Sequence, residues 1–298
     1  MTVAVVVNPT SGMGKGSRAG AVVLERMRRA GLDVRDASAS TAAAARHQAA
    51  SAVAAGVDAL VVVGGDGMAH LGANACAGTQ VPLGIIAAGT GNDVARGLGL
   101  PLDPAAAVAQ AISRLQRGQG RVVDAGRVRT ADGTHRFYLG VLSAGFDALV
   151  NERANGWRWP RGRMRYNLAT ARELPGFKPL RYRLELDGVR EELEGMLVSV
   201  ANGTSFGGGM RIAPDALLDD GQLDVVVLGP VSTPEFLRVF PTVYTGSHVE
   251  HRAVTVRRAR RVSITTLDRD VVVYADGERV GPTPLECEVA PGTVRVLA

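Results

Sequence analysis

Gly64-Gly65-Asp66-Gly67 follows directly on the apolar run Ala59–Val63. A short, continuous, β-branched run of this kind reads as a strand buried on both faces of a parallel sheet. Three glycines behind it allow a tight turn, and the free N–H groups of such a turn cradle anions, especially where a helix starts next. The embedded Asp66 carboxylate would repel a phosphate unless a metal ion or a hydrogen-bond network stands between them. A second glycine-rich loop, Asn8-Pro9-Thr10-Ser11-Gly12-Met13-Gly14-Lys15-Gly16-Ser17, follows Val3–Val7. Its glycine spacing matches neither the dinucleotide fingerprint nor the Walker loop, which disfavours a dehydrogenase or a P-loop NTPase. Thr10, Ser11 and Lys15 remain as phosphate donors. A third loop, Gly89-Thr90-Gly91-Asn92-Asp93, follows Leu83–Ala87 and offers a hydroxyl, an amide and a carboxylate, with Asn92 or Asp93 also suited to capping a helix. Loops behind parallel strands share one sheet edge, where open α/β folds bind ligands.

The second half carries carboxylates. Pro214 to Asp224 holds Asp215, Asp219, Asp220 and Asp224 in a turn. Hard cations take such oxygens together with backbone carbonyls, although Asp220-Gly221 is equally a tight turn before a strand. Tyr274-Ala275-Asp276-Gly277-Glu278 places two carboxylates two residues apart, on one face if the chain is extended. Either could take the proton of a hydroxyl that attacks a phosphate. A plain Asp-Gly hairpin is the alternative.

The elements that must hold these residues alternate in the first half. Strands are expected at Val3–Val7, Leu32–Asp36, Ala59–Val63 and Leu83–Ala87. Helices are expected at 17–30, 41–55, 68–77, 94–98 and 104–117, giving a parallel sheet wound with helices. From about Arg121 short β-like runs take over: 124–129, 137–143, 181–186, 196–201, 223–228, 252–257, 262–266, 271–275 and 294–297. Helical segments at 167–173 and 234–244 interrupt them. The fold class expected is a Rossmann-like α/β domain over 1–121 and an antiparallel β-sandwich over 122–289, with the last strand, about 290–298, returning to the first domain.

Composition narrows the function classes. The net charge is +5, and lysine occurs only at Lys15 and Lys178, so the positive charge is almost all arginine. Arginine suits bidentate phosphate contacts, and a GC-rich genome is the plainer explanation. Aromatic residues are 4% and no basic helix stands out, which argues against nucleic-acid binding. No apolar run approaches the roughly 18 residues of a membrane helix. No leader segment is expected, and two cysteines without metal spacing, Cys76 and Cys287, fit a reducing, cytoplasmic setting. Asn155–Tyr166 interleaves Trp157 and Trp159 with Arg158, Arg161, Arg163 and Arg165, a pattern suited to the headgroup region of an anionic membrane.

Taken together, these motifs resemble the diacylglycerol kinase catalytic-domain family, which includes sphingosine, ceramide and bacterial lipid kinases. The matching stretches are Val7-Asn8-Pro9 with its loop, Gly64–Gly67, Gly89–Asp93, Gly145-Phe146-Asp147, Ala201-Asn202-Gly203, Pro214–Asp224 and Asp276-Gly277-Glu278. They occur in the family's order and span nearly the whole chain. The resemblance implies an ATP- and magnesium-dependent kinase acting on a lipid hydroxyl, most simply diacylglycerol, with ATP between the two domains. It implies a cytoplasmic enzyme at the membrane surface, in lipid metabolism. By motif, Asn8, Pro9, Thr10, Ser11, Gly12, Gly64, Gly65, Asp66, Gly67, Met68, Ala69, His70, Thr90, Asn92 and Asp93 would contact the nucleotide. Asp66 would sit near the catalytic magnesium, and Ser38 or Ser40 would assist. Asp276 or Glu278 would be the general base. A structural magnesium would take the Asp220 side chain and the carbonyls of Leu217 and Gln222. Met68 departs from the family's usual Thr and removes a hydroxyl. An NAD kinase-like enzyme, a nucleotide or lipid sensor with little turnover, and a homodimer all stay open.

Overall fold

In the computed structural model, residues 1–157, 159 and 163–298 are described, apart from the side chains of residues 155, 163, 166 and 167. The chain divides into two compact units, residues 1–125 with 291–298, and residues 126–290.

The first unit holds β1 (Thr2–Val7), α1 (Ser11–Arg29), β2 (Asp33–Asp36), α2 (Ala42–Ala54), β3 (Ala59–Gly64), α3 (Asp66–Cys76), β4 (Leu83–Ala87), α4 (Asp93–Gly97) and α5 (Pro104–Gln116). The strands pair in parallel in the order β2-β1-β3-β4. Every residue of β3 and β4 is buried, because helices cover both faces of the sheet. On one face Val23 and Met27 of α1 and Val108 and Ala111 of α5 pack on Val3, Val5, Val61 and Val63. On the other, α3 comes so close that a Cβ on Gly72 would lie 2.5 Å from a Leu83 methyl. A helix from Ser17 was the expectation; α1 instead starts at Ser11 and is broken at once by Gly12, Met13 and Gly14, all with positive φ. The glycine-rich loop is thus a left-handed kink set into the first turns of a helix.

Between the units the chain runs through β5 (Arg121–Thr130) and β16 (Leu285–Val296). Val296 at the end of β16 pairs in parallel with Leu83 of β4. The second unit adds β6 (His135–Tyr138), β7 (Val141–Gly145), α6 (Phe146–Gly156), α7 (Arg163–Glu173), β8 (Leu180–Leu186), β9 (Val189–Gly195), β10 (Leu197–Ala201), β11 (Leu223–Leu228), α8 (Thr233–Val239), β12 (Val254–Ala259), β13 (Arg261–Thr266), β14 (Val272–Ala275) and β15 (Glu278–Pro282). One antiparallel sheet runs β12-β11-β10-β7-β14-β15. A second antiparallel array runs from the N-terminal part of β16 through β13 and β8 to β9. Their inner faces meet in one core, with Leu142, Val198, Val225 and Val273 from the first and Tyr182, Leu184, Val262 and Ile264 from the second.

The structure corrects several boundaries. Phe137–Ser143 is not one strand. It splits into β6 and β7, because the N–H groups of Leu139 and Gly140 turn away to a side chain described below. Phe146–Gly156 is a helix that the motif reading left without one; it buries Phe146, Val150 and Ala154 on a single face. β9 escaped notice because Val-Arg-Glu-Glu-Leu-Glu-Gly is an exposed edge strand carrying charge, the usual protection of such an edge. Segment 167–173 belongs to a helix that begins at Arg163, and 234–244 ends in a 3-10 turn over Phe240–Tyr244.

Gly126 illustrates how tightly β5 is packed. A Cβ there would lie 2.1 Å from Cζ of the buried Tyr138 ring. Gly126→Ala is expected to lower folding stability by about 1–3 kcal/mol, read as a reduced midpoint in chemical denaturation with an unchanged slope.

Candidate active site

The three glycine-rich loops of the first unit are locked together by backbone contacts. Asn8 donates its N–H to the Val63 carbonyl at 3.0 Å, which ties the first loop to the end of β3. The Asn8 side-chain oxygen accepts from the Thr10 N–H at 3.1 Å and the Thr10 hydroxyl at 2.9 Å, closing a turn. Gly12 lies against the end of β4, where a Cβ would be 2.2 Å from the Ala88 carbonyl oxygen. A Cβ on Gly89 would be 2.4 Å from the Cα of Gly65. At neither position does any other residue fit, so the three loops pack backbone to backbone at the carboxyl edge of three parallel strands.

Asp66 has a clear positional task. Its Oδ1 accepts the N–H of Val94 at 3.0 Å, so the carboxylate at the start of α3 caps α4. Asn92, in the left-handed region, accepts from the Gly89 N–H at 2.9 Å and donates to the Gly89 carbonyl at 3.1 Å. Asp93 is buried, with Arg96 3.6 Å away. Thr90 is exposed, while His70 and Ala69 are buried in α3. Met68 is buried too, and its side chain covers Gly64, where a Cβ would lie 2.4 Å from the Met68 Cγ. The residue that departs from the family pattern is therefore packing material. Ser38 accepts the Val7 N–H at 2.9 Å, fixing the end of β1, and no hydrogen bond distinguishes Ser40.

In the second unit Asp276 and Gly277 form the two-residue turn between β14 and β15, both with positive φ as a type I′ hairpin turn requires. The Asp276 carboxylate is only 6% exposed. Its two oxygens accept the N–H groups of Leu139 at 3.1 Å and Gly140 at 2.8 Å. Asn202 holds the same dipeptide from another side: its N–H donates to the Gly140 carbonyl at 2.9 Å and its side chain to the Leu139 carbonyl at 3.1 Å. The Ala201-Asn202-Gly203 and Asp276-Gly277-Glu278 motifs, some seventy residues apart in sequence, thus meet at Leu139-Gly140. Glu278 opens β15 and is half-buried.

The acidic turn forms a third cluster. Asp220 accepts the Gln222 N–H at 3.0 Å through Oδ1, and its buried Oδ2 has no hydrogen-bond partner. Arg258 lies 3.6 Å from Asp220 and 3.3 Å from Asp224. Burial raises the Asp224 carboxyl above its ordinary value despite that arginine, with Asp220 and Asp215 adding to the rise. Asp220 Oδ2 is thus ion-paired with Arg258 but not hydrogen-bonded; a carboxylate oxygen of this kind suits a hard cation such as magnesium, for which Arg258 would compete. Among the described residues no cluster of three His, Cys, Asp or Glu side chains forms a metal site. Burial pushes the thiols of Cys76 and Cys287 up to about 12, so neither is a nucleophile at neutral pH.

A wound parallel sheet with three glycine-rich loops at one edge and a β-sandwich carrying a fixed carboxylate are the parts a phosphotransferase needs. Comparison with known proteins identifies which. Residues 2–128 match the diacylglycerol kinase catalytic domain, and residues 140–298 match the YegS C-terminal NAD kinase beta sandwich-like domain. A diacylglycerol kinase of Mycobacterium tuberculosis (strain ATCC 25618 / H37Rv) is 40% identical over 296 residues, covering 99% of this chain and 94% of that one. One from Bacillus subtilis (strain 168) is 28% identical, covering 95% and 91%. The crystal structure of a diacylglycerol kinase from Bacillus anthracis str. Sterne shares the fold, with a TM-score of 0.73 at 23% identity over 99% of this chain and 96% of that one. The chain belongs to the diacylglycerol kinase catalytic-domain family, a family of lipid kinases, and the kinase class implies ATP as phosphoryl donor.

If the contact between the second and third loops shapes the nucleotide site, Gly89→Ala separates them. ATP affinity, measured by isothermal titration, is expected to fall roughly ten-fold or more, about 1.4 kcal/mol, with the far-ultraviolet dichroism unchanged.

Proposed function

We propose that the protein transfers the γ-phosphate of ATP to the free hydroxyl of diacylglycerol, with Asp276 as general base. The observation that carries the base assignment is the pair of N–H groups holding the Asp276 carboxylate. A base must be aimed, and this one cannot rotate. Glu278, on a freer side chain beside it, takes a supporting place.

In this reading the loops of Asn8 to Gly12 and Gly64 to Gly67, with the Thr90 hydroxyl, receive the phosphates. The buried residues Met68, Ala69 and His70 shape α3 beneath them, and Asn92 and Asp93 hold the third loop. The acceptor oxygen forms its bond to the γ-phosphorus as the bond to the β-phosphate oxygen breaks. Its proton goes to Asp276, and ADP leaves. The residues do little covalent chemistry; they position and neutralise. Magnesium, when bound near Asp66, would supply charge neutralisation at the phosphates. A second magnesium would be held by Asp220 and the Leu217 and Gln222 carbonyls. Its presence is read directly in the fold: magnesium should raise the melting temperature of the wild type and leave that of Asp220→Asn unmoved.

The acyl chains have a place in the second unit. A cavity of about 70 Å3 is lined by Phe206, Met210, Val226, Leu228, Phe236 and Phe240 among others. That is far less than a whole acyl chain occupies, so a long chain must displace part of its wall. The same unit presents an apolar surface. Trp159 is 80% exposed, and Met164 and Leu168, one turn apart on α7, are 60% and 45% exposed. Arg165 is among the described residues, whereas Arg158 and Arg161 lie outside them, as does the Arg163 side chain. We infer that this surface rests on anionic membrane while the lipid enters. Among the described residues no helix is long and apolar enough to cross a membrane.

Asp276→Asn should lower kcat by roughly a hundred-fold or more with the KM for ATP preserved, while Glu278→Gln keeps most of the turnover. The reverse pattern would move the base to Glu278. Because Asn replaces one accepting oxygen with a donor facing an N–H, the variant should also be less stable by about 1–3 kcal/mol, so both proteins are compared below their melting temperatures. Trp159→Ala with Leu168→Glu should abolish salt-sensitive sedimentation with anionic vesicles and leave ATP binding intact.

A further inference from the structure

The apolar cavity of the second unit contains polar atoms that its packing does not explain. Asp147, in the first turn of α6, lines it and is 6% exposed. Neither of its carboxylate oxygens has a hydrogen-bond partner. His248 lines the same cavity. Its Nε2 lies 3.1 Å from the Ile212 carbonyl, so that nitrogen carries the proton, and its buried Nδ1 is left as an acceptor without a donor. Burial holds the imidazole below its ordinary value, in the neutral form that this arrangement needs. Three orphaned polar atoms therefore belong to residues that line a cavity otherwise walled by Thr170 and by Phe, Leu, Ile, Met and Val side chains. An isolated buried polar group costs about 1–3 kcal/mol, and a cavity meant only for hydrocarbon would be better served by apolar side chains at both places.

We propose that Asp147 is a specificity residue: in its protonated form it donates a hydrogen bond to an oxygen of the lipid acceptor inside this cavity, and so selects acceptors carrying an ester carbonyl at that depth over hydrocarbon or ether chains. This rests on the lipid-kinase reading above and goes beyond it by naming the atom that is read. The protonated form is within reach near neutrality, because burial pushes the carboxyl up to about 6. Among the described residues the other ionisable groups on the surrounding elements do not replace that proton. Tyr182 of β8 donates to the Ala144 carbonyl at 3.2 Å, and burial, with the nearby Asp147 charge, raises its phenol well above the ordinary value. Arg153 of α6 is paired with Glu173 of α7, and Arg165 of α7 donates to the Ala154 carbonyl. His248 is neutral, as above. An acid raised by burial is tolerated below its folded value and penalises the fold as pH rises through it, so the ligand that accepts its proton is held best on the acid side.

The test uses the full-length chain without ATP, so that binding is read apart from turnover. An apolar fluorescent dye seated in the cavity is displaced by a short-chain diacylglycerol or by its dialkyl ether counterpart, which lacks the carbonyls. The wild type at pH 5 should bind the ester roughly five-fold or more tightly than the ether, the size of one hydrogen bond. That preference should shrink as pH rises through 6. Asp147→Leu should bind dye and ether at least as well as the wild type and show no ester preference. Asp147→Asn, whose amide donates at every pH, should keep the preference and lose its pH dependence. An ester preference that survives unchanged in Asp147→Leu, or a wild type indifferent to ester and ether, overturns the role of Asp147 and leaves the kinase reading standing. Displacement of the dye by neither lipid overturns this role together with the lipid-acceptor reading, which then fails on its own count.

Discussion

Gly65 and Gly89 approach each other so closely that no side chain fits between their backbones. Much of the first unit follows from that contact. It requires two strands to end at the same level, which parallel pairing of β3 and β4 provides through Gly64 and Ala87. It requires helices to start directly behind those strands, and α3 and α4 do so, joined by the bond from Val94 to Asp66. It also requires β1 to deliver a third loop to the same edge, where Gly12 meets the Ala88 carbonyl. The sequence spends its glycines where backbone must meet backbone.

The second unit is organised by a different constraint. A buried aspartate and a buried asparagine, far apart in the chain, hold one dipeptide, Leu139-Gly140, through both its N–H groups and both its carbonyls. Such a network is stabilising only when all its members are satisfied. It breaks an otherwise continuous apolar run into β6 and β7, and it fixes the carboxylate. With Asp276 as the proposed base, stability and chemical aim would draw on the same bonds, and a substitution there must be read for both.

Much of this was legible in the sequence. Continuous β-branched runs followed by glycines marked the parallel strands, because burial on both faces leaves no polar alternation to confuse the reading. Asp187-Gly188 is the dipeptide a two-residue hairpin favours, and between β8 and β9 both residues have the positive φ the turn demands. Other features were not legible. The separation of β6 from β7 depends on Asp276, more than a hundred residues downstream, and no local pattern carries that information. α6 has a weak apolar stripe and owes its helicity to packing against Phe177, Phe236 and Met196. Met68 looked like a lost phosphate contact, and only the packing of its side chain over Gly64 shows that it fills space. The cavity carboxylate Asp147 stood in a quoted motif, yet nothing in Gly-Phe-Asp says that its oxygens lack partners.

The central claim is phosphoryl transfer to a lipid hydroxyl. It is tested most directly by incubating the purified chain with γ-labelled ATP, magnesium and mixed micelles of diacylglycerol, with NAD in a parallel reaction, and following the label by thin-layer separation. The account predicts label on the lipid and none on NAD. Label on NAD, or tight ATP binding with no label on any acceptor, would contradict it.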